Sequence, residues 1–132
     1  MPRILVIENE PSLRHIIGAT LAGEGHEVLE ARSGAEGLRL WHARGADLVL
    51  TDVLMAEASG VEVILELRGF VAALPIVAMP GAEPGRELDL LSEAQLLGTV
   101  TLLPKPFSIG QLLGAVAAAL PPESVSDRAR SA

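Results

Sequence analysis

One lysine, Lys105, stands among nine arginines in this chain, and it is set in Leu103-Pro104-Lys105-Pro106-Phe107. The flanking prolines remove backbone donors and fix φ, so this lysine cannot lie inside a helix and is held at a corner after the apolar run Val100–Leu103. A compact ammonium on a flexible stem suits one oxygen of a carboxylate or phosphoryl group, whereas arginine suits planar bidentate partners. The acids that could answer it are Glu8 and Glu10, on either side of Asn9 after the run Ile4–Ile7, and Asp52 after Leu48–Leu50. Carboxylates at two adjacent strand ends can hold a hard cation such as Mg²⁺, which takes oxygen ligands and keeps several waters. With metal and ammonium neutralising an incoming phosphoryl group, the Asp52 carboxylate could act as a nucleophile and form an aspartyl phosphate. Plainer readings stand beside this one: an exposed lysine, a turn acid at Asp52, and a solvated acidic turn at Glu8 and Glu10.

The elements that must position these groups follow from short apolar runs alternating with amphipathic stretches. Ile4–Ile7, Val28–Leu29, Leu48–Leu50, Ile76–Met79 and Val100–Leu103 read as strands, each followed by a helix. Ser33 with Glu36, Ser59 with Glu62 and Ser108 with Gln111 form capping-box pairs, and Pro11 suits the first position of another helix. Leu13, Ile16, Ile17, Thr20 and Leu21 share one helix face, as do Ile109, Leu112, Leu113, Val116 and Leu120, and a fourth helix is expected at about Arg86 to Leu96. Regular alternation predicts a parallel sheet with helices on both faces. In such a sheet the ligand sits beyond the carboxyl ends of the strands, and those ends deliver Glu8, Asn9 and Glu10, then Asp52, then Pro80 and Gly81, then Lys105.

Length and composition narrow the function classes. The 132 residues suit one domain with one hydrophobic core, expected over 1–120, and the tail 121–132 loses periodicity and reads as disordered. Without cysteine there is no disulfide, thiolate nucleophile or zinc-thiolate site, and His15, His26 and His42 are scattered. A net charge of −7 offers no basic stripe for nucleic acid or anionic membrane, so a protein partner is expected. No apolar run of membrane-spanning length and no signal peptide are read, which places the chain in the cytoplasm.

Four segments together resemble the receiver domain of two-component response regulators over about residues 3 to 120. Ile4-Leu5-Val6-Ile7-Glu8-Asn9-Glu10-Pro11 is similar to the family's first strand and acidic turn, and Asp47-Leu48-Val49-Leu50-Thr51-Asp52 to the approach to its phosphoacceptor. Leu74-Pro75-Ile76-Val77-Ala78-Met79 resembles the fourth strand, and Leu103-Pro104-Lys105-Pro106-Phe107 the fifth with its phosphate-sensing lysine. The resemblance implies a flavodoxin-like (βα)5 doubly wound parallel sheet of strand order 2-1-3-4-5, and a cis Lys105–Pro106 bond that turns the lysine inward. It also implies Asp52 as phosphoacceptor, Mg²⁺ held by Glu8, Asn9, Asp52 and the Leu54 backbone carbonyl, and phosphoryl contacts from Lys105.

The departures from that pattern fall on its working positions. Asn9 stands where the family's second acid is a direct metal ligand, so Mg²⁺ binding is expected to be weakened, with Glu10 or Glu57 as compensating acids. Pro80 replaces the serine or threonine after the fourth strand and Leu102 the aromatic on the fifth, so both halves of the family's switch are missing. That leaves the Gly81 N–H and Lys105 as donors to a phosphate. Ala56, where proline is common, only relaxes the loop. By resemblance to the family, Leu54, which cannot orient a water, implies that an aspartyl phosphate would turn over slowly. Leu102 is expected in the core; exposed, it would add to a docking or dimer surface.

Three classes follow. One is a receiver phosphorylated on Asp52 by a histidine kinase or phosphotransfer protein and passing its state to a downstream protein. Another is a pseudo-receiver that works by partner binding without phosphorylation. The last, a flavodoxin-like enzyme or nucleotide binder, is disfavoured because Glu8-Asn9-Glu10-Pro11-Ser12 lacks the glycines of a phosphate loop; the chain is read as a signalling protein and not an enzyme.

Overall fold

The computed structural model describes residues 1–55, 60–82 and 85–121. Five strands and five helices alternate: β1 (Arg3–Ile7), α1 (Pro11–Gly23), β2 (Glu27–Ala31), α2 (Gly34–Arg44), β3 (Leu48–Asp52), α3 (Gly60–Phe70), β4 (Ile76–Met79), α4 (Gly85–Glu93), β5 (Thr101–Leu102) and α5 (Ile109–Ala119). The strands form one parallel sheet in the order β2-β1-β3-β4-β5. This is the flavodoxin-like order that the family resemblance implies. No described helix is long and apolar enough to cross a membrane.

Strand alternation divides the core in two. Leu5, Ile7, Val49 and Ile76 face α2, α3 and α4 with Val63, Ile64, Leu67 and Leu91, while Ile4, Val6, Leu48, Leu50 and Met79 face α1 and α5 with Ile17, Leu21, Leu112 and Val116. Because both faces are covered, β1, β3 and β4 are buried along nearly their whole length, which explains their unbroken apolar runs. β2 is longer than its two-residue apolar signal because it is an edge strand. Its Glu27 binds the Arg3 and Arg44 guanidiniums and Glu30 is exposed, so apolar runs alone understate it.

Helix starts follow local chemistry. Ser108 and Gln111 form the expected reciprocal capping box. Ser33 accepts from the Glu36 N–H, but the Glu36 carboxylate reaches back to the Arg32 N–H, one residue beyond the expected partner. Ser59, and with it the third pair, lies outside the described residues, as do Ala56, Glu57 and the tail from 122 on. Two residues expected on core faces are exposed: Ile16, whose neighbours Ile17 and Leu21 carry the contact, and Ile109, the first residue of α5. α4 ends at Glu93, earlier than expected, because Gln95 takes a left-handed φ of 59° and turns the chain.

Candidate functional site

Three strand ends bring the predicted residues together. Glu8 follows β1 directly and donates its N–H to the Ala31 carbonyl at 3.0 Å, Asp52 is the last residue of β3, and Lys105 lies just past β5, its N–H on the Pro80 carbonyl at 2.8 Å. The registers Ile7↔Thr51 and Asp52↔Met79 align these ends. Lys105 Nζ stands 2.7 Å from Glu8 Oε1 and 3.2 Å from Asp52 Oδ2. Glu8 Oε2 accepts the Glu10 N–H at 2.9 Å, and Asp52 Oδ1 accepts the Val53 N–H at 3.1 Å. The Lys105–Pro106 bond is cis. Gly60 closes the site from below: its N–H donates to the Val53 carbonyl at 2.8 Å, and a Cβ there would stand 1.9 Å from the Asp52 carbonyl oxygen.

Burial sets the electrostatics. Glu8 is fully buried and Asp52 only 8% exposed. Loss of water is the largest influence on Asp52 and, with the nearby Glu8 charge, holds its carboxyl above the ordinary value; Lys105 and the Val53 N–H pull back only in part. For Lys105 burial works against the charged form, yet the Glu8 hydrogen bond and the charges of Asp52 and Glu8 outweigh it, and the ammonium is held above its ordinary value. The two directions agree with the distances. The ammonium lies closer to Glu8 and leaves the Asp52 charge incompletely neutralised.

Several assignments change in the fold. Glu8 does not form a solvated turn, and both its oxygens are engaged by protein donors. Glu10 is a helix cap: its two oxygens accept the Ser12 and Leu13 N–H groups at 3.0 and 2.8 Å, and those backbone bonds hold its carboxyl below the ordinary range. Asn9 and the Leu54 side chain are exposed, and Pro80 is buried. Leu102, expected in the core, is 37% exposed, because β5 is a two-residue edge strand and it is the next residue, Leu103, that turns into the core. The Gly81 N–H, expected to be free for a phosphate, donates to Glu87 Oε2 at 2.7 Å. Sequence reasoning missed Glu87; the one available signal was an acid in the first turn of a helix that follows a Pro-Gly strand end.

An oxygen-only donor set with two convergent carboxylates suits Mg²⁺, which needs one or two carboxylates and otherwise keeps water. Among the described residues no cluster of three or more His, Cys, Asp or Glu side chains could hold a metal.

Comparison with known proteins agrees with this fold. The family model of the response regulator receiver domain matches residues 4–117. Sporulation initiation phosphotransferase F of Bacillus subtilis is 26% identical over 122 residues, covering 92% of this chain and 96% of that protein. The KDP operon transcriptional regulatory protein KdpE of Escherichia coli is 31% identical over 120 residues, 91% of this chain but 52% of KdpE, so the chain spans about half of that relative; it spans 26% of the transcriptional regulatory protein GlrR. Among solved structures, the receiver domain of the hybrid histidine kinase CckA is 31% identical with a TM-score of 0.72, covering 90% of this chain and 99% of that one. The chemotaxis protein CheY4 of Vibrio cholerae superposes with a TM-score of 0.81 at 24% identity over 91% of this chain and 99% of that one, a likeness of fold. With its strand order, its acid-lysine cluster at the strand ends and these relatives, the chain belongs to the response regulator receiver domains of two-component systems.

Proposed function

We propose that the chain accepts a phosphoryl group on Asp52 from a histidine kinase or phosphotransfer protein. The observation that carries this reading is the shared ammonium: Lys105 reaches both Glu8 and Asp52 at the carboxyl edge of the sheet. An Asp52 oxygen attacks the phosphorus of a phosphohistidine, the O–P bond forms as the N–P bond breaks, and the donor imidazole leaves and is reprotonated from solvent. Lys105 offsets charge on the phosphoryl oxygens. Its Nζ need only turn from the Asp52 oxygen toward the new group, since Glu8 keeps it in place. Glu8, Asn9, Asp52 and the Leu54 carbonyl would hold Mg²⁺, which supplies further charge neutralisation when bound. The apolar Leu54 side chain offers nothing to align a hydrolytic water, so the aspartyl phosphate is expected to persist.

A second reading, a pseudo-receiver that signals by partner binding alone, draws support from the exposed Leu102 and from the Gly81 donor already engaged by Glu87. Phosphate-affinity gels after treatment with acetyl phosphate or a cognate kinase separate the two. An Asp52-dependent shifted band, absent in Asp52→Ala, supports phosphorylation. No band in the wild type, with a partner pulled down equally by wild type and Asp52→Ala, supports the pseudo-receiver.

A further inference from the structure

Met79, the last residue of β4, is the register partner of Asp52, and with Pro80 lacking both hydroxyl and N–H the first backbone donor beyond it is the Gly81 N–H. It is not open to solvent anions. Glu87, in the first turn of α4, accepts that N–H on its carboxylate at 2.7 Å, the short length of a charge-assisted bond. The group is 7% exposed, among the described residues the one buried acid outside the Glu8–Asp52–Lys105 cluster, and the strand chemistry does not use it. The fit is close on the glycine side too: a Cβ at residue 81 would stand 3.0 Å from Glu87 Oε2.

We propose that Glu87 is a built-in anion that occupies the Gly81 N–H, the hydrogen-bond donor a phosphoryl group would use, and that phosphorylation of Asp52 displaces it and moves the start of α4. The inference rests on the phosphoacceptor reading of Asp52. A phosphoryl group brings close to two negative charges and three acceptor oxygens to the end of β3. One N–H cannot serve it and the Glu87 carboxylate together, and like charges in a buried setting repel strongly. Of the two groups the carboxylate is the one free to turn, because it ends a flexible side chain in the first turn of α4, whereas the Gly81 N–H belongs to backbone two residues past the end of β4. The signal then leaves through a carboxylate and α4, without a hydroxyl at Pro80 or an aromatic ring at Leu102. It also follows that Glu87 competes with the phosphoryl group and lowers the affinity of the pocket for it.

The test is solution NMR on the full chain, wild type against Glu87→Ala and Glu87→Gln, with Asp52→Ala as control. Without any added anion, Glu87→Ala is expected to shift the Gly81 amide proton upfield and speed its exchange; an unchanged Gly81 amide overturns the inference at once. Beryllofluoride with Mg²⁺ is then titrated as the phosphoryl mimic. Expected are roughly tenfold tighter binding to Glu87→Ala, a smaller gain in Glu87→Gln, and wild-type α4 amides that move on saturation toward their positions in free Glu87→Ala. Equal affinities for wild type and Glu87→Ala, with α4 unmoved, overturn displacement while leaving Asp52 as acceptor. Beryllofluoride binding by none of the proteins overturns the acceptor reading, and displacement falls with it.

Discussion

Glu8 and Lys105 lie 97 residues apart in the chain and 2.7 Å apart in the fold, joined by an ion pair whose carboxylate is entirely buried. Their pairing sets the charge of the site, since every other contact of Asp52 is made in the field of that pair. Breaking it exposes how much the rest depends on it.

Lys105→Ala leaves two buried carboxylates without their cation. Loss of about 3 kcal/mol at pH 7 is expected in urea unfolding, as for other buried pairs deprived of one partner. The wild type carries its own signature. Because the Lys105 ammonium is held above its ordinary value, its contribution is fully present below pH 10.5 and fades as pH rises through the higher folded value. Wild-type stability should therefore show an alkaline decline that Lys105→Ala lacks.

Asp52→Asn should have the opposite effect on stability. An acid whose folded pKa is raised makes the fold most favourable when protonated, and that advantage is lost as pH rises from 3.8 through the folded value. Removing the charge should raise Tm by a few degrees at pH 7, with the gain shrinking as pH falls toward 3.8. Thermal melts across that range check it; a lower Tm at pH 7 would show that the Asp52 charge is fully compensated by Lys105.

Gly60→Ala should be among the most damaging single changes. Its Cβ would meet the backbone carbonyl of Asp52, which cannot turn aside as a side-chain tip could, and the Val53 hydrogen bond holds the glycine in place. A loss of roughly 3 kcal/mol is expected in denaturant titration, together with displacement of the Asp52 backbone resonances.

Gln95→Gly should stabilise the protein. A left-handed φ of 59° is costly for a side chain with a Cβ and free for glycine, and the gain left after the greater entropy of the unfolded glycine is about 0.5 kcal/mol. A higher urea midpoint with unchanged slope is the expected result; no gain would mean that the Gln95 side chain makes compensating contacts.

Much of this architecture could be read from residue order. The sheet is legible because buried parallel strands are uninterrupted apolar runs, and Lys105 between two prolines is legible because it can occupy only a corner. What escaped the sequence depends on depth and neighbours. Val100–Leu103 reads as a strand buried on both faces, yet β5 lies at the edge and turns Leu102 outward. Ile16 and Ile109 satisfy helical spacing but sit where the sheet does not reach. Glu10 and Glu8 are identical in type and two residues apart, and only the fold separates a helix cap from a buried partner of lysine. The Gly81–Glu87 bond joins a loop to a helix turn and has no periodic signature at all.

β5 pairs with β4 through two register positions, Val77↔Thr101 and Ala78↔Leu102, against five between β1 and β2. The residue that neutralises the acidic pocket is thus tethered to the sheet's least-anchored strand. Beyond those positions only the Leu103 N–H on the Ala78 carbonyl and the Lys105 N–H on the Pro80 carbonyl continue the pairing, so local opening of this edge, ahead of global unfolding, is the expected route by which the pocket would lose its ammonium. Hydrogen exchange at the β4–β5 amides reads that opening directly.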